Sequence, residues 1–319
     1  MRCFLVPLLL AAAPVAIAQE AYQPPRDATG RPDFGGMWVT AFMTSLERPG
    51  FYKTLVVTEE EARKGAEIFT GGAPDLVDPD FFTHGVKETA QVRGEYRSSL
   101  LIKPESGRMP YTEKAKKLAK HLEWMDGDAH DHPEERTTFD RCLAGSGQPP
   151  IRPFTQMLPN LFVQTPDALV IMTEDVAGLR VIHLDGAKPP PDVLTAHNGW
   201  SAGRWEGDTL VVETTHIRGD DPTRPVFGGT ILVEPDSRLV ERFTRIAQDE
   251  LLYQFSVEDP DLYTAPWLVE YSFKLDGTHY YEFACHEANY SMVNILLGGR
   301  VADAREATKV GAARKKSGR

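Results

Sequence analysis

Residues 199–217, GWSAGRWEGDTLVVETTHI, hold the pattern that decides the fold. Two extended segments, about 201–206 and 209–217, meet at Gly207-Asp208, a pair whose tolerance of positive φ suits a tight hairpin turn. Leu210, Val211, Val212, Thr214 and Thr215 are mostly β-branched and no proline interrupts them, which places the second segment inside a sheet rather than at its rim. The hairpin also carries Trp200, Arg204, Trp205, Glu206, Glu213 and His216, an aromatic and charged set that suits either a binding wall or the outer decoration of a barrel.

Outward from this hairpin, turn signals recur at near-regular intervals between Leu161 and Cys285. Segments 161–164 and 169–173 flank Pro166-Asp167, and 179–184 ends at Asp185-Gly186. Segments 237–246 and 251–257 flank Gln248-Asp249, and 267–275 and 279–285 flank Asp276-Gly277. Leu251, Tyr253, Phe255 and Val257 alternate with Gln254 and Ser256, while Trp267, Val269, Tyr271, Phe273 and Leu275 alternate with Glu270, Ser272 and Lys274. Each strand therefore has one dry face and one wet face, as an antiparallel sheet over a single core demands. Many hairpins without long crossovers favour closure, which removes exposed edges. The expected class is mainly β: an antiparallel up-and-down, lipocalin-like barrel with a few peripheral helices in the N-terminal half and at the C-terminus.

Gly36-Met37-Trp38 precedes this meander, with glycine bringing the backbone close and the indole plugging one end of the core. Thr58 and Glu61 form a capping box that opens a helix running to Phe69. Thr112 caps a second helix, whose Ala115, Leu118, Ala119 and Leu122 recur at helical spacing as a stripe that packs on the barrel. The domain plan is a signal peptide over 1–18, an extended lead-in over 19–32, one barrel domain over 33–300 with a helical insertion at about 58–145, and a tail over 301–319.

Met1-Arg2 followed by a short apolar run and Ala16-Ile17-Ala18 has the form of a secretory leader cleaved after Ala18, so the expected location is periplasmic or secreted. That run is too short for a membrane span, and nothing later approaches the roughly 20 apolar residues such a span needs. A net charge of -11 argues against a nucleic-acid partner. Beyond the leader the cysteines are Cys142 and Cys285, an even pair in an oxidising compartment, either bridged or left as two buried thiols. His130 and His132, in an acidic loop, lie on one side of an extended segment and could chelate a divalent ion, but the loop lacks the glycine and terminal glutamate of an EF-hand. A solvated acidic loop is the reading kept, and neither a metal nor any other cofactor is expected.

Six ordered motifs carry a resemblance: Arg141-Cys142-Leu143, Val163-Gln164-Thr165-Pro166, the GRWEGDTLVV run 203–212, Val240-Glu241-Arg242-Phe243, Val257-Glu258-Asp259-Pro260 and Ala284-Cys285-His286-Glu287-Ala288-Asn289-Tyr290. Together they resemble a widespread family of secreted bacterial proteins. The resemblance implies a lipocalin-like barrel and carries no reaction with it.

Function is read from what a barrel can hold, namely one hydrophobic or aromatic small molecule in its interior or mouth. His183 shares a face with Leu179 and Val181, which predicts an inward imidazole kept neutral by an apolar cavity and able to act as a base. A core histidine bonded to a neighbour is the alternative. His197 lies in the loop before the anchor hairpin and is the second candidate base, with Tyr290 as a third catalytic candidate. Trp200, Arg204, His286, Glu287 and Asn289 are the candidate substrate-binding residues, the last three at a barrel end. The reaction class that fits is a cofactor-independent lyase, isomerase or hydrolase, and the competing reading is a carrier that leaves its ligand unchanged.

Overall fold

The computed structural model describes residues 22–40, 42–69, 89–121, 130–153, 158–176, 178–277 and 279–317. The expected leader, Leu122 and the start of the acidic loop lie outside the described residues. In chain order the first strands are β1 (Gly36–Val39), β2 (Val56–Val57), β3 (Gln91–Val92), β4 (Glu95–Arg97) and β5 (Leu101–Lys103). The meander follows as β6 (Asn160–Gln164), β7 (Ala168–Thr173), β8 (Leu179–His183), β9 (Trp200–Glu206) and β10 (Thr209–Thr215). It continues through β11 (Thr223–Val226), β12 (Gly229–Leu232), β13 (Arg238–Ala247), β14 (Glu250–Glu258) and β15 (Leu268–Asp276). The helices are α1 (Glu59–Phe69), α2 (Glu113–His121) and α3 (Tyr290–Ser317).

Nine of these strands close on themselves in the order β1-β6-β7-β8-β9-β10-β13-β14-β15, with β1 pairing back to β15 through Trp38 and Leu275. The anchor hairpin forms as its sequence predicts, Thr209 opposite Glu206 and Gly207 at φ 60°. The up-and-down expectation fails at one joint: β8 and β9 run parallel, Ile182 beside Ser201 and His183 beside Ala202. The reason is arithmetic, because strand direction cannot alternate all the way round a ring with an odd number of members. A parallel pair also needs a crossover. Residues 184–199 supply it, and Ala196 bridges to Ile217 at the far end.

The core is aromatic. Trp38, Phe162, Phe243, Tyr253, Phe255, Tyr271 and Phe273 are all buried. Burial of such a side chain contributes on the order of 1.5–3 kcal/mol. Trp38 gives its indole N–H to the Phe34 carbonyl at 2.8 Å, so this ring adds apolar area without an orphaned donor. Tyr253 packs against Phe243 at 4.8 Å, Tyr271 at 5.2 Å and Phe273 at 5.7 Å between ring centroids. These rings fill the barrel.

Other departures have local causes. Residues 279–285 are not a strand: Tyr281 donates its N–H to the Glu174 carboxylate and the segment stays exposed. The β11–β12 hairpin, outside the ring, places Pro225 where no central ladder needs its missing N–H. Glu270 and Ser272, read as a wet face of β15, are buried. Glu270 meets Arg97 of the small β2-β4-β3 sheet, and Ser272 donates to Glu250. Instead, apolar side chains occupy the outer face of β6–β8, where Val163, Leu179 and Val181 are exposed. At the C-terminus, where a helix is expected, α3 runs unbroken from Tyr290 to Ser317.

Both N-terminal helix caps form. Thr58 and Glu61 bond reciprocally, N–H to carboxylate at 2.8 Å and N–H to hydroxyl at 3.3 Å, and Thr112 accepts the Ala115 N–H at 3.1 Å. Ala115 is buried, and Leu118 and Ala119 pack on the core.

Candidate functional site

The barrel has two unlike ends. Tight turns at 165–167, 207–208 and 248–249 close one, whereas residues 137–153, 196–199 and 216–237 gather at the other. The loop 137–153 is drawn into that second end by the core itself: Tyr253 accepts the Ile151 N–H and Tyr271 donates to the Ile151 carbonyl, both at 2.9 Å. Cys142 and Cys285 are bridged, their Cα atoms 5.8 Å apart, and Asn289 donates to the Asp140 carbonyl at 2.9 Å. On the opposite side Thr138 gives its hydroxyl to Asp221 at 2.6 Å. Gly145 lies so close to Asp175 that a Cβ there would sit 2.2 Å from its carboxylate. The folded chain thus holds the loop at Ile151, at Cys142 with Asp140, and at Thr138.

Beneath it, inside the barrel, lies a closed polar network. Arg180 of β8 donates to Ser201 at 3.0 Å, to Thr214 at 2.9 Å and to both oxygens of Glu241. Tyr253 gives its hydroxyl to the same carboxylate at 2.5 Å. Burial would lower the Arg180 pKa, but the charge of Glu241 outweighs it and holds the guanidinium above its ordinary value. Every nitrogen of this guanidinium is engaged, and Arg180, Ser201, Thr214, Glu241 and Tyr253 are all buried.

At the long-loop end the pattern differs. His197 is partly buried, its Nδ1 3.9 Å from the Asp220 carboxylate, and its backbone carbonyl accepts from Gln148 at 3.2 Å. Burial lowers the imidazole pKa despite Asp220, and the cations of Arg218 and Arg224 push the same way, so the ring is neutral near pH 7. Asp221 is held below the usual carboxylate range: burial opposes this, but hydrogen bonds from Thr138 and Thr223 and the charge of Arg224 prevail. Arg152 and Arg224 complete the cluster, both buried and neither ion-paired to a carboxylate among the described residues.

The residues chosen from sequence are scattered. His183 does share a face with Leu179 and Val181, but that face is the outer one, Leu179 being 57% exposed while Arg180 and Ile182 point in. Its imidazole stacks on Trp200 at 3.8 Å outside the barrel, so neither reaches an internal ligand. Arg204 is also outside, paired to Glu213 at 2.8 Å and Glu206 at 2.9 Å in a ladder that continues through Arg238 and Arg242. His286 and Glu287 are exposed in a single 3-10 turn, Tyr290 is 75% exposed, and Asn289 serves the 140–142 loop. Only His197 stands in the cluster. In the acidic loop His130 contacts Asp303 at 3.2 Å, and the described residues contain no group of three metal-ligating side chains. Arg152, Arg224, Asp220, Asp221 and Gln148 carry no local motif. An arginine flanked by proline, as in Arg152-Pro153 and Arg224-Pro225, reads like any loop cation until the fold buries it.

Comparison of the chain with protein-family models, with curated proteins and with solved structures finds no match, so the chemistry of this end is argued from its own residues.

Proposed function

We propose that the protein is a periplasmic or secreted lipocalin-like barrel that binds a small hydrophobic or aromatic molecule at its long-loop end and acts on it by acid–base chemistry without a cofactor. The observation that carries this reading is the gathering of ionisable groups at one end of a barrel whose interior is already filled with rings. His197, neutral near pH 7, is the base in a lyase, isomerase or hydrolase reaction. Arg224, whose charge acts on the imidazole, stabilises negative charge as it develops on the substrate. The Cys142–Cys285 bridge supports an oxidising compartment, and no helix among the described residues is long and apolar enough to cross a membrane.

A second reading, a carrier that leaves its ligand unchanged, is favoured by the 3.9 Å gap between His197 and Asp220. At that distance the carboxylate does not lock the imidazole in one orientation, as a catalytic base requires. Native mass spectrometry of the protein taken from the periplasm identifies any co-purified compound, which is then incubated with wild type and His197→Gln. Conversion by wild type alone supports catalysis, an unchanged compound with both supports carriage, and a compound whose binding leaves the His197 resonances unmoved removes this end as the site.

A further inference from the structure

We propose that the long-loop end is built to receive a carboxylate, taken by the open edge of Arg224, with Arg152 a second buried cation of the same cluster. This names the ligand class for the site proposed above and rests on that reading. Arg224 is 0% exposed. Its Nη1 is occupied by the carbonyls of Asp221 at 2.7 Å and Thr223 at 2.8 Å, while Nε and Nη2 have no acceptor among the described residues. Those two nitrogens project their hydrogens in parallel from one edge of the guanidinium, a fork that the two oxygens of a carboxylate match. Arg152 gives Nη2 to the Gly145 carbonyl and leaves Nε without an acceptor. A buried donor with no partner calls for an ion or a water.

The neighbouring carboxylates do not fill the role, because each is already engaged. Asp175 accepts from Ser146 and Val176, Asp221 from Thr138 and Thr223, and Asp220 from Arg218 at 2.8 Å. Arg97 and Arg245 also leave Nε without an acceptor among the described residues, but there both Nη groups are bonded, so neither has the two-nitrogen edge that Arg224 has open. Arg97 meets Glu95 and Glu270, Arg180 meets Glu241, and Arg245 bonds two carbonyls and lies 5.4 Å from the Trp38 ring centre. Arg152, Arg218 and Arg224 stand against Asp175, Asp220 and Asp221, three charges of each sign. A cluster so balanced accepts one further negative charge more readily than two, which favours a carboxylate over a phosphate monoester. Burial and the charge of Arg224 bring the Arg152 pKa down to about 9, and burial brings Arg224 to about 10. Both remain charged at pH 7, so what is unmet is an acceptor for their open N–H groups.

The test titrates the oxidised, leader-free protein with benzoate, with neutral benzamide and with inorganic phosphate at constant ionic strength, followed by calorimetry and by the arginine Nε–H and His197 NMR signals. Benzoate should bind one to one, shift the Arg224 Nε–H signal and raise the His197 pKa, since a nearby anion favours the charged imidazole. Arg224→Lys should weaken benzoate at least about tenfold by losing the fork. Arg152→Lys, the second variant should the first not fold, should weaken it by a smaller factor. Arg204→Lys, on the outer wall, should change nothing. Phosphate binding tighter than benzoate, or benzoate binding indifferent to both inner variants, overturns the proposal. Benzamide that binds as well as benzoate and perturbs His197 also overturns it while leaving the ligand site standing. Failure of all three probes to move either signal removes both readings.

Discussion

Arg180 and Arg224 are both screened from water, and the chain treats them in opposite ways. Around Arg180 every nitrogen of the guanidinium has an acceptor, one of them a carboxylate on a strand far along the sequence. Around Arg224 one nitrogen is satisfied by backbone carbonyls and one whole edge has no acceptor among the described residues. A buried cation with every nitrogen engaged is a structural part, complete in the folded chain. One with a bidentate edge unmet among the described residues calls for a further partner.

The most forceful way to break this contrast is Glu241→Ala, which strands the Arg180 charge. It should cost about 3–5 kcal/mol in urea unfolding, and the paired Arg180→Met, Glu241→Leu replacement should recover a large part of that loss. Next, the double substitution Cys142→Ser with Cys285→Ser releases the loop that carries Arg152. It should lower stability by about 2–5 kcal/mol and weaken benzoate binding, read from melting with and without ligand. Arg224→Met sharpens the comparison from the other side. It removes a guanidinium with no carboxylate at ion-pair distance among the described residues but with two backbone carbonyls bonded to it, so unliganded stability should fall by about 1–3 kcal/mol while the response to benzoate disappears. A change as large as that of Glu241→Ala would make Arg224 another structural cation. The smallest effect concerns pH. Because burial holds the His197 pKa below its ordinary 6.5, the native protein binds fewer protons than the unfolded chain just below that value. Stability should therefore decline as pH falls from 6.5 through the folded value and be insensitive to this group above 6.5. His197→Gln should flatten that part of the profile in thermal melts.

Much of the fold was legible in the sequence wherever its cause is local. Gly207-Asp208 fixes a hairpin, Thr58 and Glu61 satisfy each other within one turn, and the alternation of Leu251, Tyr253 and Phe255 marks a core face. Period-two reading also grouped Leu179, Val181 and His183 correctly. It could not say which of the two faces lies inside, because Arg180 is made internal by Glu241, a residue on another strand. The same limit hid the candidate site. Whether Arg152 and Arg224 are solvated or sealed depends on where loops 137–153 and 216–224 come to rest, and that depends on Tyr253, Tyr271 and a disulfide to the far end of the chain. The parallel joint depends on the parity of the strand count, a property no short window contains.

That joint has a mechanical consequence. Only two residue pairs register β8 against β9, fewer than the seven that register β9 against β10, so the backbone there is a thin lath between broad staves. Arg180 hoops it: from β8 it reaches Ser201 on β9, Thr214 on β10 and Glu241 on β13. When thermal motion prises the cask apart, amides along Leu179–His183 should trade their hydrogens with solvent sooner than those of β13, and cutting the hoop should widen that gap while the remaining staves hold.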